Sequence, residues 1–158
     1  MNAMMLSVRT TKGFMITIRD FEMPDIRRVA EIEEQTSLDG DAGMYLDLYE
    51  EWSEGFLVAE KGGEIIAFEV VVLTPEGEGR IFALAVDSRY RGRGVGRALL
   101  KAAFSMLRRR KIGYVVLEVR ISNQIAQRLY RSMGFFEIGF IPLYYKDGEG
   151  AMVMRKVL

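Results

Sequence analysis

A glycine-rich turn between an apolar run and an amphipathic segment constrains this 158-residue chain most strongly. Residues 81–86 are continuously apolar, which predicts a central strand that is buried on both faces. From Gly94 onward, apolar residues recur at steps of three and four, which predicts a helix with one apolar face. Gly92, Gly94 and Gly96 let the backbone turn its N–H groups toward one point, beside the positive end of that helix. The layout favours a bound phosphate.

The spacing of these glycines narrows the ligands that such a turn could hold. A P-loop carries GxxxxGK[ST], which is absent from the sequence. A dinucleotide-binding fold carries GxGxxG after its first strand, whereas these glycines lie more than halfway along the chain. A strand-to-helix connection in which the glycines serve only the turn stays open as an alternative.

The rest of the pattern predicts one α/β domain. A β-branched strand begins at Met15, a tight hairpin turns at Gly62–Gly63, and two final strands flank residues 146–148. Residues 1–14 follow neither a period of 2 nor one of 3.6, so we expect a flexible N-terminal leader there. The domain is then expected to occupy residues 15–158.

Composition excludes several kinds of chemistry. Lys and Arg together number 22, as do Asp and Glu, so no bulk charge favours binding to nucleic acid or to an anionic membrane. The chain has no Cys and no His, which excludes disulfides, thiolate nucleophiles, His general bases and nearly every zinc site. No apolar run has the length of a signal peptide or the ~20 residues of a membrane span. We therefore expect a cytoplasmic protein with no metal, nucleic-acid or membrane partner.

The RxxGxG pattern at residues 91–96 resembles the (Q/R)xxGx(G/A) signature of the GNAT superfamily of acyl-CoA-dependent N-acetyltransferases. The order of the predicted elements also matches that fold. The resemblance implies a mixed central sheet of about seven strands with about four helices, and acetyl-CoA as cosubstrate. It implies that backbone amides hold the coenzyme pyrophosphate and that the preceding strand pairs with pantetheine. The implied coenzyme-binding residues here are Leu84, Ala85, Val86, Arg91, Gly92, Arg93, Gly94, Val95, Gly96 and Arg97.

A second block, LEVRISN at residues 117–123 followed by AQRLYRSMGF at 126–135, resembles RimI-like N-terminal acetyltransferases. The resemblance implies that Glu118 is a general base acting through water. It implies that Tyr130, beside the coenzyme, protonates the departing thiolate, and that Asn123 hydrogen-bonds pantetheine. By residue pattern alone, Glu118 also fits a solvated strand position, Asn123 a helix N-cap and Tyr130 a core position.

The activity that this resemblance implies is direct transfer of acetyl from acetyl-CoA to the α-amino group of a protein or peptide N-terminus in a ternary complex. Attack needs a neutral amine, and deprotonation at pH 7 costs about 1 kcal/mol for an α-amine but about 4–5 kcal/mol for Lys. The ribosome or a ribosomal protein is a further candidate partner. The alternatives are a small amine or a Lys side chain as acceptor, and a non-catalytic acyl-CoA sensor.

The segment YYKDGEGAMVM at residues 144–154 resembles the YYxDGEDAxxM hairpin of N-terminal acetyltransferases. The resemblance implies that Tyr144 and Tyr145 line the peptide-binding groove. Paired aromatic residues near a turn also serve packing. Gly150 stands where the family pattern has Asp, which puts the function of that carboxylate in doubt for this chain.

Overall fold

The computed structural model describes residues 4–36 and 38–158 of the chain. These residues form two compact units. The first unit takes in the described residues up to Val72 together with Ala83–Ala103. The second unit consists of Leu73–Phe82 and Phe104–Leu158. Residues 1–3 of the expected leader lie outside the described residues.

Over the described residues, the chain forms eight strands and four α-helices. The strands are β1 (Met5–Arg9), β2 (Met15–Asp20), β3 (Phe56–Lys61), β4 (Glu64–Leu73), β5 (Gly79–Val86), β6 (Tyr114–Arg120), β7 (Phe136–Ile141) and β8 (Ala151–Val157). The helices are α1 (Ile26–Glu34), α2 (Ala42–Glu51), α3 (Val95–Arg109) and α4 (Gln124–Ser132). The expected α/β class and the expected four helices are confirmed. About seven strands were expected, and the additional strand is β1.

Strand β1 lies within the segment where we expected a leader without regular structure. It pairs antiparallel with β2 from Met5↔Arg19 to Arg9↔Met15. Four of its five side chains are exposed, so no apolar alternation marks it in the sequence. The expectation is therefore wrong for these five residues, which the backbone ladder holds in place. The prediction of one domain over residues 15–158 stays a prediction.

The first unit orders its strands β1-β2-β3-β4-β5, where β5 contributes its C-terminal half. Gly62 and Gly63 join β3 to β4 with φ angles of 57° and 83°, which confirms the predicted tight hairpin. The core of this unit forms where Leu57 and Ala67 of the sheet pack together with Leu99 of α3. The amphipathic helix that follows the glycines is thus held by its apolar face.

Strand β5 departs from the expectation of burial on both faces. Ile81, Ala83 and Ala85 are buried, whereas the alternate side chains, Leu84 and Val86 among them, are only half-buried. A continuous apolar run does not distinguish these two cases, because it does not show what covers each face.

The second unit orders its strands β5-β6-β8-β7, with the N-terminal half of β5 at one end. β5 pairs parallel with β6, including Arg80↔Val116, whereas β6 and β7 each pair antiparallel with β8. The sheet is therefore mixed, as expected. β6 carries Glu118, which lies opposite Val153 of β8.

Candidate active site

The glycine-rich turn requires glycine at two positions for different reasons. Gly92 and Gly94 have φ angles of 74° and 83°, in the left-handed region that side chains disfavour. A Cβ on Gly94 would also lie 2.9 Å from Thr11 Oγ1 and 3.1 Å from Thr10 Cβ. A Cβ on Gly92 would meet nothing within 4 Å, so open space borders the backbone there.

Helix α3 begins directly after these glycines and is anchored in the core. Val95 and Leu99 are both buried, and the Ala98 N–H donates to the Gly94 carbonyl at 3.1 Å. Helix geometry directs the N–H groups of a first turn outward from this end, where the helix dipole favours an anion. The first turn of α3 and the left-handed glycine pair thus lie side by side in the first unit, where the helix dipole favours negative charge.

A buried carboxylate fixes the start of the turn. Asp87 is 1% exposed and accepts hydrogen bonds from the Arg89 N–H and the Arg28 Nη2, both at 2.9 Å. Hydrogen bonds from Arg89, together with those from Arg28 and Gln35, hold the pKa of Asp87 well below its usual range. The Gln35 Oε1 accepts from the Ser88 N–H at 2.8 Å. Arg28 in the first turn of α1 and Gln35 directly after its C-terminal end therefore hold the turn that precedes α3.

The arginines of the turn occupy several environments. Arg91 Nε donates to the Val86 carbonyl at 3.0 Å, and its Nη2 to the Gln35 carbonyl at 3.5 Å. The Arg93 guanidinium lies 5.3 Å from the centre of the Phe14 ring, and Arg97 is half-buried in the first turn of α3. Arg91 thus braces the loop in this structure, and its contact with coenzyme stays a prediction.

Glu118, the expected general base, is held by an arginine that the sequence analysis did not identify. Arg80 Nε donates to Glu118 Oε2 at 3.0 Å, and Arg80 Nη2 lies 3.0 Å from Oε1. Because Arg80 pairs with Val116 in the parallel ladder, Glu118 lies two residues further along β6 and on the same face. The only signal in the sequence is that β5, the strand before β6, carries a residue of opposite charge, Arg80, among its less buried positions.

The same arginine contacts one of the two expected acceptor-site tyrosines. Arg80 Nη2 donates to the Tyr144 hydroxyl at 2.8 Å. The Tyr144 and Tyr145 rings meet edge to face, with centroids 5.0 Å apart. The N–H groups of both tyrosines donate to the Glu149 carbonyl at 3.1 Å. The structure therefore brings Glu118 and Tyr144 together through Arg80.

Ion pairs hold the hairpin that carries the tyrosines. Arg120 lies 4.0 Å above the Tyr145 ring and pairs with Asp147 at 2.8 Å and with Glu149 at 3.0 Å. A Cβ on Gly150 would lie 2.4 Å from the Phe140 ring. An Asp at this position would therefore require the Phe140 ring to move.

Asn123 and Tyr130 lie on or beside α4. The Asn123 side chain caps the helix, accepting from the Ala126 N–H at 3.1 Å, which is the N-cap role that its pattern allowed. Tyr130 is half-buried, and its ring packs edge-on against Phe135 with centroids 5.7 Å apart. Contacts of either residue with coenzyme stay predictions.

Two kinds of feature were not found in residues 4–36 and 38–158. No group of three or more Asp, Glu, His or Cys residues there is arranged to hold a metal ion. No helix in this part of the chain combines the length and apolar character that a membrane span requires.

Comparison with known proteins identifies the family. The acetyltransferase (GNAT) family model matches residues 18–135. The N-alpha-acetyltransferase RimI of Mycobacterium tuberculosis is 33% identical over 149 residues, which cover 89% of this chain and 92% of the relative. The crystal structure of Ard1 from Thermoplasma volcanium matches with a TM-score of 0.85 and 39% identity, covering 90% of this chain and 97% of that one. The ribosomal-protein-S18-alanine N-acetyltransferase of Escherichia coli matches with a TM-score of 0.79 and 30% identity, covering 90% and 94%.

The family match spans most of the chain and includes the glycine-rich turn, β6 and all of α4. The mixed sheet and the four helices agree with the fold that the RxxGxG pattern implied. The chain therefore belongs to the acetyltransferase (GNAT) family and is an N-acetyltransferase.

Proposed function

We propose that this enzyme transfers acetyl from acetyl-CoA to the α-amino group of protein or peptide N-termini. The observation that carries the proposal is the placement of Glu118, a largely buried carboxylate held by an arginine, at the position of the base in the RimI-like block. The relatives named for α-amino and ribosomal-protein-alanine acetylation support an α-amine acceptor. A ribosomal protein with an N-terminal alanine is therefore a candidate acceptor.

The turn in the first unit fits the coenzyme diphosphate. Left-handed Gly92 borders open space, and the first turn of α3 begins three residues later. The helix dipole and the backbone N–H groups favour negative charge at this point without a dedicated side chain. The proposed coenzyme-binding residues stay as the resemblance implies them: Leu84, Ala85, Val86, Arg91, Gly92, Arg93, Gly94, Val95, Gly96, Arg97, Asn123 and Tyr130.

Acid–base roles follow for two residues of the second unit. Acetyl-CoA supplies an acyl carbon that a neutral amine attacks directly, so a chain without Cys and His needs no enzyme nucleophile. Glu118 accepts, through a water, the proton that the amine loses. Arg80 occupies two of the roughly four lone-pair positions of the carboxylate, which leaves others for that water. Tyr130 donates a proton to the departing sulfur.

Steady-state kinetics with a peptide that carries a free α-amine tests these roles. Glu118→Gln and Tyr130→Phe should each lower kcat by about 10²- to 10⁴-fold, because each removes one proton transfer. The Kd for coenzyme A should change little. Glu137→Gln on β7 and Tyr114→Phe on β6 are matched controls at exposed positions of the same unit and should keep kcat. Unchanged kcat in the Glu118 and Tyr130 variants would remove both assignments.

A further inference from the structure

Arg80 donates hydrogen bonds to both Glu118 and Tyr144. Its Nε and Nη2 contact the two carboxylate oxygens at 3.0 Å each. The same Nη2 reaches the Tyr144 hydroxyl at 2.8 Å. One guanidinium therefore joins the proposed base to a proposed acceptor-site residue.

The contact with Glu118 has the geometry that fixes a carboxylate most strictly. A guanidinium presents its N–H groups in a planar fork, which holds both oxygens and leaves little freedom of rotation. Both residues are on paired strands, and their side chains are only 28% and 16% exposed. The Arg80 guanidinium also lies 5.3 Å from the centre of the Phe82 ring on the same strand. The carboxylate thus has a defined orientation on a rigid support.

The residue before Tyr144 has an unfavourable backbone conformation. Leu143 has a φ angle of 53°, in the left-handed region that a branched side chain disfavours, and its side chain is 80% exposed. No burial of Leu143 therefore offsets the strain. The turn is fixed beyond this point by the two hydrogen bonds to the Glu149 carbonyl. The strained residue thus lies directly before Tyr144, and backbone strain of this kind is typical of functional sites.

We propose that Arg80 is a positioning residue, which orients the Glu118 carboxylate and couples it to Tyr144 on the hairpin. The inference rests on the proposed function, in which Glu118 is the base and Tyr144 contacts the acceptor. Arg80 acts on turnover through the Glu118 carboxylate, and its hydrogen bond to Tyr144 holds the hairpin beside that carboxylate. Its loss frees the carboxylate to rotate and separates the hairpin from the base, so turnover falls while coenzyme affinity is kept.

A second arginine–glutamate pair in the same unit supplies the matched control. Arg155 of β8 pairs through Nη2 with Glu78, and these side chains are 32% and 22% exposed. Arg155 also stacks on an aromatic ring, at 3.9 Å from the centre of Tyr114. The two arginines thus have similar burial and similar partners, but Arg155 has no place in the proposed chemistry.

The first test compares Arg80→Gln with Arg155→Gln, using an N-terminal alanine peptide and acetyl-CoA. Arg80→Gln should lower kcat by about 10- to 100-fold with the KM for acetyl-CoA unchanged, since misplacement by about 1 Å can cost that much. Arg80→Lys keeps the charge without the fork and should recover only part of the loss. Arg155→Gln should keep kcat within about twofold of wild type. Thermal unfolding verifies that each variant is folded.

A double-mutant cycle distinguishes positioning from a structural role. If Arg80 acts through Glu118, then adding Arg80→Gln to Glu118→Gln should lower kcat by less than about twofold more. The inference would be overturned if the fold-losses in kcat of the two single variants multiplied in the double variant. Equal kcat in Arg80→Gln and Arg155→Gln would also overturn it. A wild-type enzyme that does not acetylate the α-amine would instead overturn the proposed function and this inference with it. If the wild-type enzyme acetylates the α-amine and Arg80→Gln keeps the wild-type kcat, only this inference is overturned.

Discussion

The Asp87 carboxylate accepts a hydrogen bond from Arg28 of α1 at 2.9 Å, across 59 positions of sequence. The same guanidinium donates to the Ile65 carbonyl of β4 at 3.0 Å. One arginine thus ties a helix and a strand to the residue where the glycine-rich turn begins. The turn is therefore shaped by a buried carboxylate and its arginine partner as well as by its glycines.

Asp87→Asn should destabilise the protein in a pH-dependent manner. The folded state lowers the pKa of Asp87, so its stabilisation is complete above the unfolded pKa of about 3.9 and is lost as the pH falls below it. At pH 7 the variant should lose about 2 kcal/mol of unfolding free energy, because Arg28 and Arg89 lose a charged acceptor. The difference from wild type should narrow at pH 3.5, as measured by urea unfolding.

A surface partner of the same arginine provides the control for that experiment. Glu31 contacts Arg28 at 2.6 Å, but its side chain is 49% exposed. Glu31→Gln should therefore cost less than about 1 kcal/mol at pH 7. An equal loss in the two variants, or a loss in Asp87→Asn that is as large at pH 3.5 as at pH 7, would contradict the role assigned to Asp87.

Gly94→Ala and Gly92→Ala separate the two reasons for glycine in the turn. Each forces a side chain into left-handed backbone, at a cost of about 1–2 kcal/mol. Only the Cβ at Gly94 would meet Thr10 and Thr11, so Gly94→Ala should lower the free energy of unfolding further than Gly92→Ala. Chemical denaturation of both variants measures this difference. Equal free energies of unfolding in the two variants would contradict the close approach of Thr10 and Thr11 to Gly94.

The contribution of Glu69 to the free energy of unfolding should change with pH in the opposite direction from that of Asp87. It is fully buried in β4, and neither carboxyl oxygen has a hydrogen-bond partner among the described residues. Burial raises the pKa of Glu69 well above its usual range. Above pH ~4.3 the unfolded chain releases this proton and the folded chain keeps it, which favours unfolding as the pH rises.

Glu69→Gln removes that linkage. The stability of the variant relative to wild type should increase by up to about 1.4 kcal/mol per pH unit above the unfolded pKa, until the folded carboxyl also titrates. Urea unfolding at pH 5, 6.5 and 8 measures the trend. Glu76→Gln, at an exposed turn position, should show no such trend. A flat difference for Glu69→Gln would mean that the carboxyl is ionised in the folded protein.

The sequence predicted those elements that show a clear apolar period or a characteristic turn residue. The Gly62–Gly63 hairpin and the strand–turn–helix around Gly94 follow from glycine backbone preferences and from a 3.6-residue apolar period. Strand β1 could not be predicted in this way, because most of its side chains are exposed and the hydrogen bonds to β2 define it. Pairing that depends on backbone alone leaves no pattern in the side chains.

The candidate site was predictable only where residues carry a recognisable motif. Glu118, Tyr130 and the tyrosine pair came from blocks that resemble known acetyltransferases. Arg80 lies 38 positions before Glu118, on another strand, and no local spacing indicates that the two meet. The ion pair needs the parallel register of β5 and β6, which is a property of the folded sheet.

Acetylation of matched peptides, followed by mass spectrometry, tests the central claim most directly. One peptide carries a free N-terminal alanine and an internal Lys, and the other is the same sequence with a blocked N-terminus. The account predicts one acetyl group on the α-amine of the first peptide and none on the second. Acetylation of Lys in the blocked peptide, or no transfer to the free α-amine, would contradict it.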